Sequence, residues 1–193
     1  MRRAILGLAA TLLVALPRAG AAATVAGTVT VDGRAAEQTV VYLEGATPAP
    51  AASAEPVVVD QRDLAFVPTL LAIVRGTVVE FKNSDDVRHN VFSPSAAGGT
   101  FDLGTYSRGE SRRVTFDEPG EVAVLCNIHM EMQAHIVVLR DPFFATTRPG
   151  GAYTIERVPP GTYTLKVWRK RWLPLERAVE VPAAGTLALD VEG

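Results

Sequence analysis

Apolar and polar residues alternate with a period of two along most of this chain, the repeat of a strand with one buried face. Val25-Ala-Gly-Thr-Val-Thr-Val31 reads as a first strand, Asp32-Gly33 as a tight hairpin turn and Thr39-Val-Val-Tyr-Leu43 as a second strand. A further series covers 57–59, 70–74, 77–81, 89–92, 111–116, 121–125 and 134–139, with turns at Arg75-Gly76 and Glu118-Pro119-Gly120. The C-terminal stretch reads as a separate unit. It has strands at 152–155 and 162–168, a Val158-Pro-Pro-Gly161 turn between them, and two more runs at 178–181 and 186–191. No apolar stripe of period 3.6 persists over three turns beyond residue 23, so no helix is expected there. Many short strands separated by Gly and Pro signals predict an all-β sandwich.

Two stretches break the alternation. Residues 1–23 begin with Arg2 and Arg3 and continue through an almost wholly apolar run to Leu16. They end in the small-residue triplets Ala19-Gly20-Ala21 and Ala21-Ala22-Ala23. This is the layout of a secretory signal peptide. The run is short for a transmembrane helix, and Pro17-Arg18 interrupts it. The mature product is therefore expected to be periplasmic or otherwise exported, with no membrane span after cleavage. Residues 46–56, rich in Ala and Pro and without period, read as a linker.

Composition narrows the classes. Hydrophobic residues make up 48% of the chain and charged residues 21%, which excludes general disorder. The 16 Gly and 13 Pro follow no period, which excludes collagen. With 19 Lys and Arg against 21 Asp and Glu, no basic excess points to nucleic acid. The chain has one cysteine, Cys126, where an exported protein normally pairs its thiols. A lone thiol in an oxidising compartment has to be buried, dimerised or metal-bound.

Cys126-Asn-Ile-His129-Met-Glu-Met132 places a thiolate, an imidazole and a thioether on one seven-residue loop between two strands. His89 follows the loop 83–88 and supplies a second imidazole. Two His, one Cys and a weak axial Met are the ligand set of a blue-copper electron-transfer site. Soft sulfur favours Cu(I) and imidazole also suits Cu(II), whereas zinc prefers four strong ligands. Met130 competes with Met132 for the axial place. Met132 is preferred because it sits where the loop rejoins the strand. His135 reads as a surface residue if Ile136 and Val138 point inward.

Residues 81–91 and 120–138 resemble the cupredoxin family, the plastocyanin, amicyanin and azurin group. The Cys-x-x-His-x-x-Met spacing is most similar to the short ligand loop of amicyanin. The resemblance covers about residues 54–140 and implies a Greek-key β-sandwich holding one copper ion. It implies His89, Cys126, His129 and Met132 as ligands, Met132 rather than Met130 among them. It also implies that Asn90 ties the two ligand loops together by second-shell hydrogen bonds near the Cys. Asn83 reads as a turn residue.

Residues 24–53 and 141–193 each resemble part of the carboxypeptidase-regulatory-like family, a small transthyretin-like sandwich. Gly27-Thr-Val-Thr-Val-Asp-Gly33 and Pro159-Pro-Gly-Thr-Tyr-Thr-Leu165 carry that likeness. The cupredoxin would then be inserted between the two segments, and Val40, Tyr42, Ile155, Leu165 and Val167 would form the core of the outer sandwich. The combination is similar to exported proteins labelled methylamine utilization proteins. Trp168-Arg-Lys-Arg-Trp172 reads as a solvated turn with packed rings, and less readily as a patch for an acidic partner.

The expected function is one-electron transfer, with a cytochrome, dehydrogenase or oxidase as transient partner. The alternative is a copper-binding or sensing module without electron transfer. An enzyme is not expected. Copper oxidases and nitrite reductases add a His-rich second centre, and this chain has three histidines in all.

Overall fold

The structure is a computed structural model that describes residues 22–45, 55–95, 99–172 and 175–193. The signal peptide expected over residues 1–23 lies outside the described residues up to residue 21, as does most of the expected linker at 46–56. Eighteen strands and no helix are found among those described. None of their segments forms a helix long and apolar enough to cross a membrane.

The chain opens with β1 (Ala23–Val31), β2 (Arg34–Ala35) and β3 (Val40–Glu44). The middle holds β4 (Val57–Arg62), β5 (Ala65–Val67), β6 (Leu70–Val74), β7 (Thr77–Asn83) and β8 (His89–Ser93). It continues with β9 (Phe101–Tyr106), β10 (Ser111–Phe116), β11 (Gly120–Leu125) and β12 (Gln133–Leu139). The chain closes with β13 (Phe144–Thr146), β14 (Ala152–Val158), β15 (Gly161–Trp168), β16 (Leu175–Val181), β17 (Gly185–Ala188) and β18 (Val191–Glu192). Ala23, read from sequence as the last leader residue, is the first residue of β1 and only 1% exposed.

The two ends of the chain share one core. β1 lies between β14 and β17 and also pairs with β2 and β18, while β13, β3, β15 and β16 form a second sheet in that order. Val25, Val29, Val41, Leu43, Ile155 and Leu165 pack between these sheets. The predicted hairpin is present: Asp32 (φ 51°) and Gly33 (φ 70°) form the two-residue turn from β1 to β2. Gly27 is required by a close approach, since a Cβ there would collide with the Leu189 carbonyl.

The middle strands make a second sandwich. One sheet runs β10-β7-β4-β5 and the other β6-β12-β11-β8-β9. Phe66, Phe81, Tyr106, Phe116, Val122 and Ile136 fill its core, together with Cys126 and Met132.

A third apolar cluster joins the sandwiches back to back. Val40, Val137 and Leu139 form it with Tyr42, Leu70, Ala72, Phe144 and Trp168. This corrects two expectations. Val40 and Tyr42 face the seam rather than the outer core, where Val41 and Leu43 stand instead. A strand buried on both faces is apolar at every position, so alternation cannot say which residue points where. His135 faces outward from its own core as period two requires, yet its side chain is only 15% exposed. The Trp168 ring covers it, with ring centroids 5.5 Å apart.

Candidate metal centre

Two loops build the centre. The first, between β7 and β8, is held by Asn83, which is buried. Its Nδ2 donates to the carbonyls of Val87 (2.9 Å) and Tyr106 (3.1 Å), and its Oδ1 accepts from the Asp85 N–H (2.9 Å). The predicted turn role is thus a fully bonded Asx turn.

Asp85 is the residue the sequence reading missed. Its Oδ2 lies 2.7 Å from His89 Nε2. The same carboxylate accepts from the N–H groups of Asp63 (2.6 Å) and Leu64 (3.1 Å). Those two residues form the β4–β5 turn and both take left-handed φ, 55° and 58°. Burial pushes the Asp85 carboxyl up, but the bonds from His89, Leu64 and Asp63 outweigh it and hold the group below its ordinary value. A carboxylate on Nε2 fixes the proton there and leaves His89 Nδ1 with a free lone pair.

That lone pair points at the second loop. His89 Nδ1 and His129 Nδ1 lie 3.0 Å apart. The donor atoms of His89, Cys126 and His129 all lie within 4.8 Å of one another. His89 is fully buried, Cys126 is a free thiol that is 4% exposed, and His129 is partly exposed. The loop is closed on itself: the Met132 N–H donates to the His129 carbonyl (3.0 Å) and the Cys126 N–H to the Met132 carbonyl (3.3 Å). Met132 is 1% exposed and packs in the same core as Cys126, whereas Met130 is 82% exposed.

Tyr106 completes the floor. It pairs with His89 across β8 and β9 and is fully buried. Its hydroxyl accepts from Gln61 Nε2 (2.7 Å) and donates to the Phe81 carbonyl (3.2 Å). Burial pushes this hydroxyl far up, so it stays protonated. β9 was not anticipated, because Asp102 and Gly104 lower its strand propensity.

Asn90 differs from its expected role. Its Nδ2 donates to Asp102 Oδ1 (2.8 Å) on β9, not to the Cys126 loop. Its Oδ1 is buried and unpartnered among the described residues. The side chain joins β8 to β9 where their register shifts between Asn90 and Phe92.

A thiol, two imidazole nitrogens and a buried thioether suit a metal that accepts both soft and borderline donors, and that description fits copper. Residues 54–139 match the family of copper binding proteins of the plastocyanin/azurin type. No curated protein matched the chain. Among solved structures, the chain is 33% identical to a copper-containing nitrite reductase from Thermus scotoductus (TM-score 0.43). That match covers 49% of this chain and 25% of the reductase, so the chain spans about a quarter of its length. A purple cupredoxin from Nitrosopumilus maritimus is 22% identical over 43% of this chain and 99% of its own (TM-score 0.39). A reduced amicyanin variant is 20% identical over 51% of this chain and 98% of its own (TM-score 0.42).

Proposed function

We propose that this chain, whose residues 54–139 form a cupredoxin domain, is an exported type 1 copper protein that carries single electrons between periplasmic redox partners. The observation that carries the reading is the convergence of the Cys126, His89 and His129 donors within 4.8 Å, beside a buried Met132. Copper, when bound, supplies a one-electron change between Cu(I) and Cu(II). His89, Cys126 and His129 would hold it, with Met132 as a weaker fourth donor.

The chain's own residues prepare for that task. Asp85 fixes the His89 tautomer before any metal arrives, so little has to reorganise. The core around Cys126 excludes water from the thiol. His129 is the partly exposed member of the set, and its neighbours Ile128 (47%) and Met130 (82%) are exposed apolar side chains. An edge of this kind suits brief contact with a cytochrome, dehydrogenase or oxidase.

We read the protein as a carrier and not an enzyme. Two of its three histidines belong to the centre and the third, His135, is packed against Trp168, which leaves none for a second copper centre. We also read residues 24–53 and 141–193 as one carboxypeptidase-regulatory-like sandwich with 54–140 inserted. The core shared by Val25, Leu43, Ile155 and Leu165 supports that division.

The test is a Cu(II) titration of the purified mature protein followed by visible spectroscopy and stepwise reduction. An intense thiolate-to-copper band that bleaches with one electron is expected, and Cys126→Ser abolishes it. Zinc-only binding, or a band that survives Cys126→Ser, overturns the reading.

A further inference from the structure

The turn between β15 and β16 carries Arg169, Lys170 and Arg171 in a row. Among the described residues none of the three makes an ion pair, although seven other Arg, Lys and His side chains do. The turn is fixed. The Trp172 N–H donates to the Arg169 carbonyl (3.2 Å), and Arg171 takes a left-handed φ of 62°, a conformation that glycine adopts more easily. Its base is clamped to the copper sandwich: Trp168 Nε1 donates to Glu121 Oε2 (3.1 Å), and its ring lies over His135.

This turn reaches the ligand loop. Lys170 Nζ donates to Gln133 Oε1 (3.3 Å), and Gln133 Nε2 reaches the Met130 carbonyl (3.5 Å). The basic turn of the outer sandwich therefore adjoins the exposed apolar tip beside His129. Between them the two sandwiches leave a cleft of about 340 Å³, which all three cations line. Glu37 lines the same cleft, Glu121 is bonded to Trp168 and His135 at the base of the turn, and Glu131 stands on the ligand loop.

We propose that the Arg169–Lys170–Arg171 turn and the Ile128/Met130 tip form one docking face, built by both sandwiches, for a redox protein with carboxylates beside its own cofactor edge. Cations that carry no ion pair steer an acidic surface and set its orientation, while the apolar tip supplies the contact. The word redox in this proposal rests on the electron-carrier reading above; the acidic character of the partner does not.

The experiment separates the two. Hexaglutamate peptide is titrated into the metal-free protein at low ionic strength and amide shifts are followed by NMR. Shifts at 128–133 and 168–171 that vanish in 0.5 M salt, as screening requires, are expected. R169E/K170E/R171E weakens binding at least tenfold, while R34E/R177E elsewhere on the outer sandwich changes it less than twofold. K170Q, which removes the charge but keeps a polar side chain and is expected to weaken binding two- to threefold, replaces the triple variant if that fails to fold. Shifts centred on other basic residues such as Arg88 or Arg108, or an unaffected triple variant, overturn the proposal. In a separate arm, copper-loaded protein is first reduced to the Cu(I) form, freed of reductant and mixed with hexacyanoferrate(III), which takes one electron per copper and becomes hexacyanoferrate(II). Failure to exchange an electron there removes the carrier reading and leaves the peptide result to decide the docking face.

Discussion

Asp85 and His89, four residues apart, meet at 2.7 Å, and the same carboxylate holds the left-handed turn at Asp63 and Leu64. One side chain thus orients a buried imidazole and fastens a neighbouring hairpin. Asp85→Ala is expected to lower copper affinity about 10- to 100-fold, the usual cost of losing such a partner. It also hands two exposed turn N–H groups back to water and should cost about 0.5–1.5 kcal/mol of stability. Competition with a copper chelator and urea unfolding read the two effects separately. Unchanged affinity would show that the tautomer is fixed by something else.

Met132 and Met130 differ in burial, 1% against 82% exposed. Met132→Leu is expected to raise the reduction potential while keeping the thiolate band, since only a weak donor is lost. Met130→Leu should leave the potential unchanged. Voltammetry of the two variants decides, and the reverse result assigns the axial place to Met130.

Acid should loosen the seam. His135 Nδ1 lies 3.0 Å from Glu121 Oε1, while its Nε2 is buried without a partner. Burial, and then the charge of Lys170, lower its pKa against the opposing pull of Glu121. The folded protein therefore takes up this proton less readily than the unfolded chain. The resulting stability is fully present above the ordinary histidine value of about 6.5 and is lost as pH falls below it. Arg169, Arg171 and Glu37 line the same cleft and set its remaining charge. Melting temperature should fall between pH 7 and 5, and His135→Gln should flatten that slope. An equal slope in the variant would place the titrating group elsewhere.

Excising residues 54–140 and bridging the ends with a short Gly/Ser linker should leave a folded β domain, because its core draws only on residues before 45 and after 142. The excision also uncovers Val40, Tyr42, Phe144 and Trp168. The product should therefore self-associate unless Val40 and Tyr42 are made polar. Dispersed amide shifts and sedimentation are the readouts. A disordered product would show that the outer sheets depend on the wall of the middle sandwich.

Export can be checked with the intact leader. Cleavage after Ala21 keeps Ala23 in β1, whereas cleavage after Ala23 removes a buried strand residue. Periplasmic protein whose first residue by mass is Ala22 is expected. Retention in the cytoplasm with an intact N-terminus would refute export.

The centre was legible where its chemistry is compact in sequence. Cys126, His129 and Met132 share one loop, and a thiol beside an imidazole and a thioether has few other uses. His89 was found only because that loop called for a second imidazole. Asp85 was not found: beside Asp86 it looks like an acidic solvated turn, and only the fold brings it to Nε2. The strands of β3 and β12 were visible, and so was the inward face of β12; the facing of β3 and the covering of the outer face of β12 were not, because both sides of these strands are apolar and packed. Asn90 was placed on the Cys loop by analogy, and its amide instead reaches Asp102.

The discontinuous core also dictates an order of assembly. Thr28 bonds to Asp190, 162 positions further on. As the chain emerges from N- to C-terminus, β1 to β3 must wait, with only the β1–β2 hairpin paired, until β13 to β18 arrive. The strands of the middle sandwich, β4 to β12, have all emerged before then, and their folding shortens the loop that the outer sheets have to close. Of the two sandwiches the outer one therefore closes second.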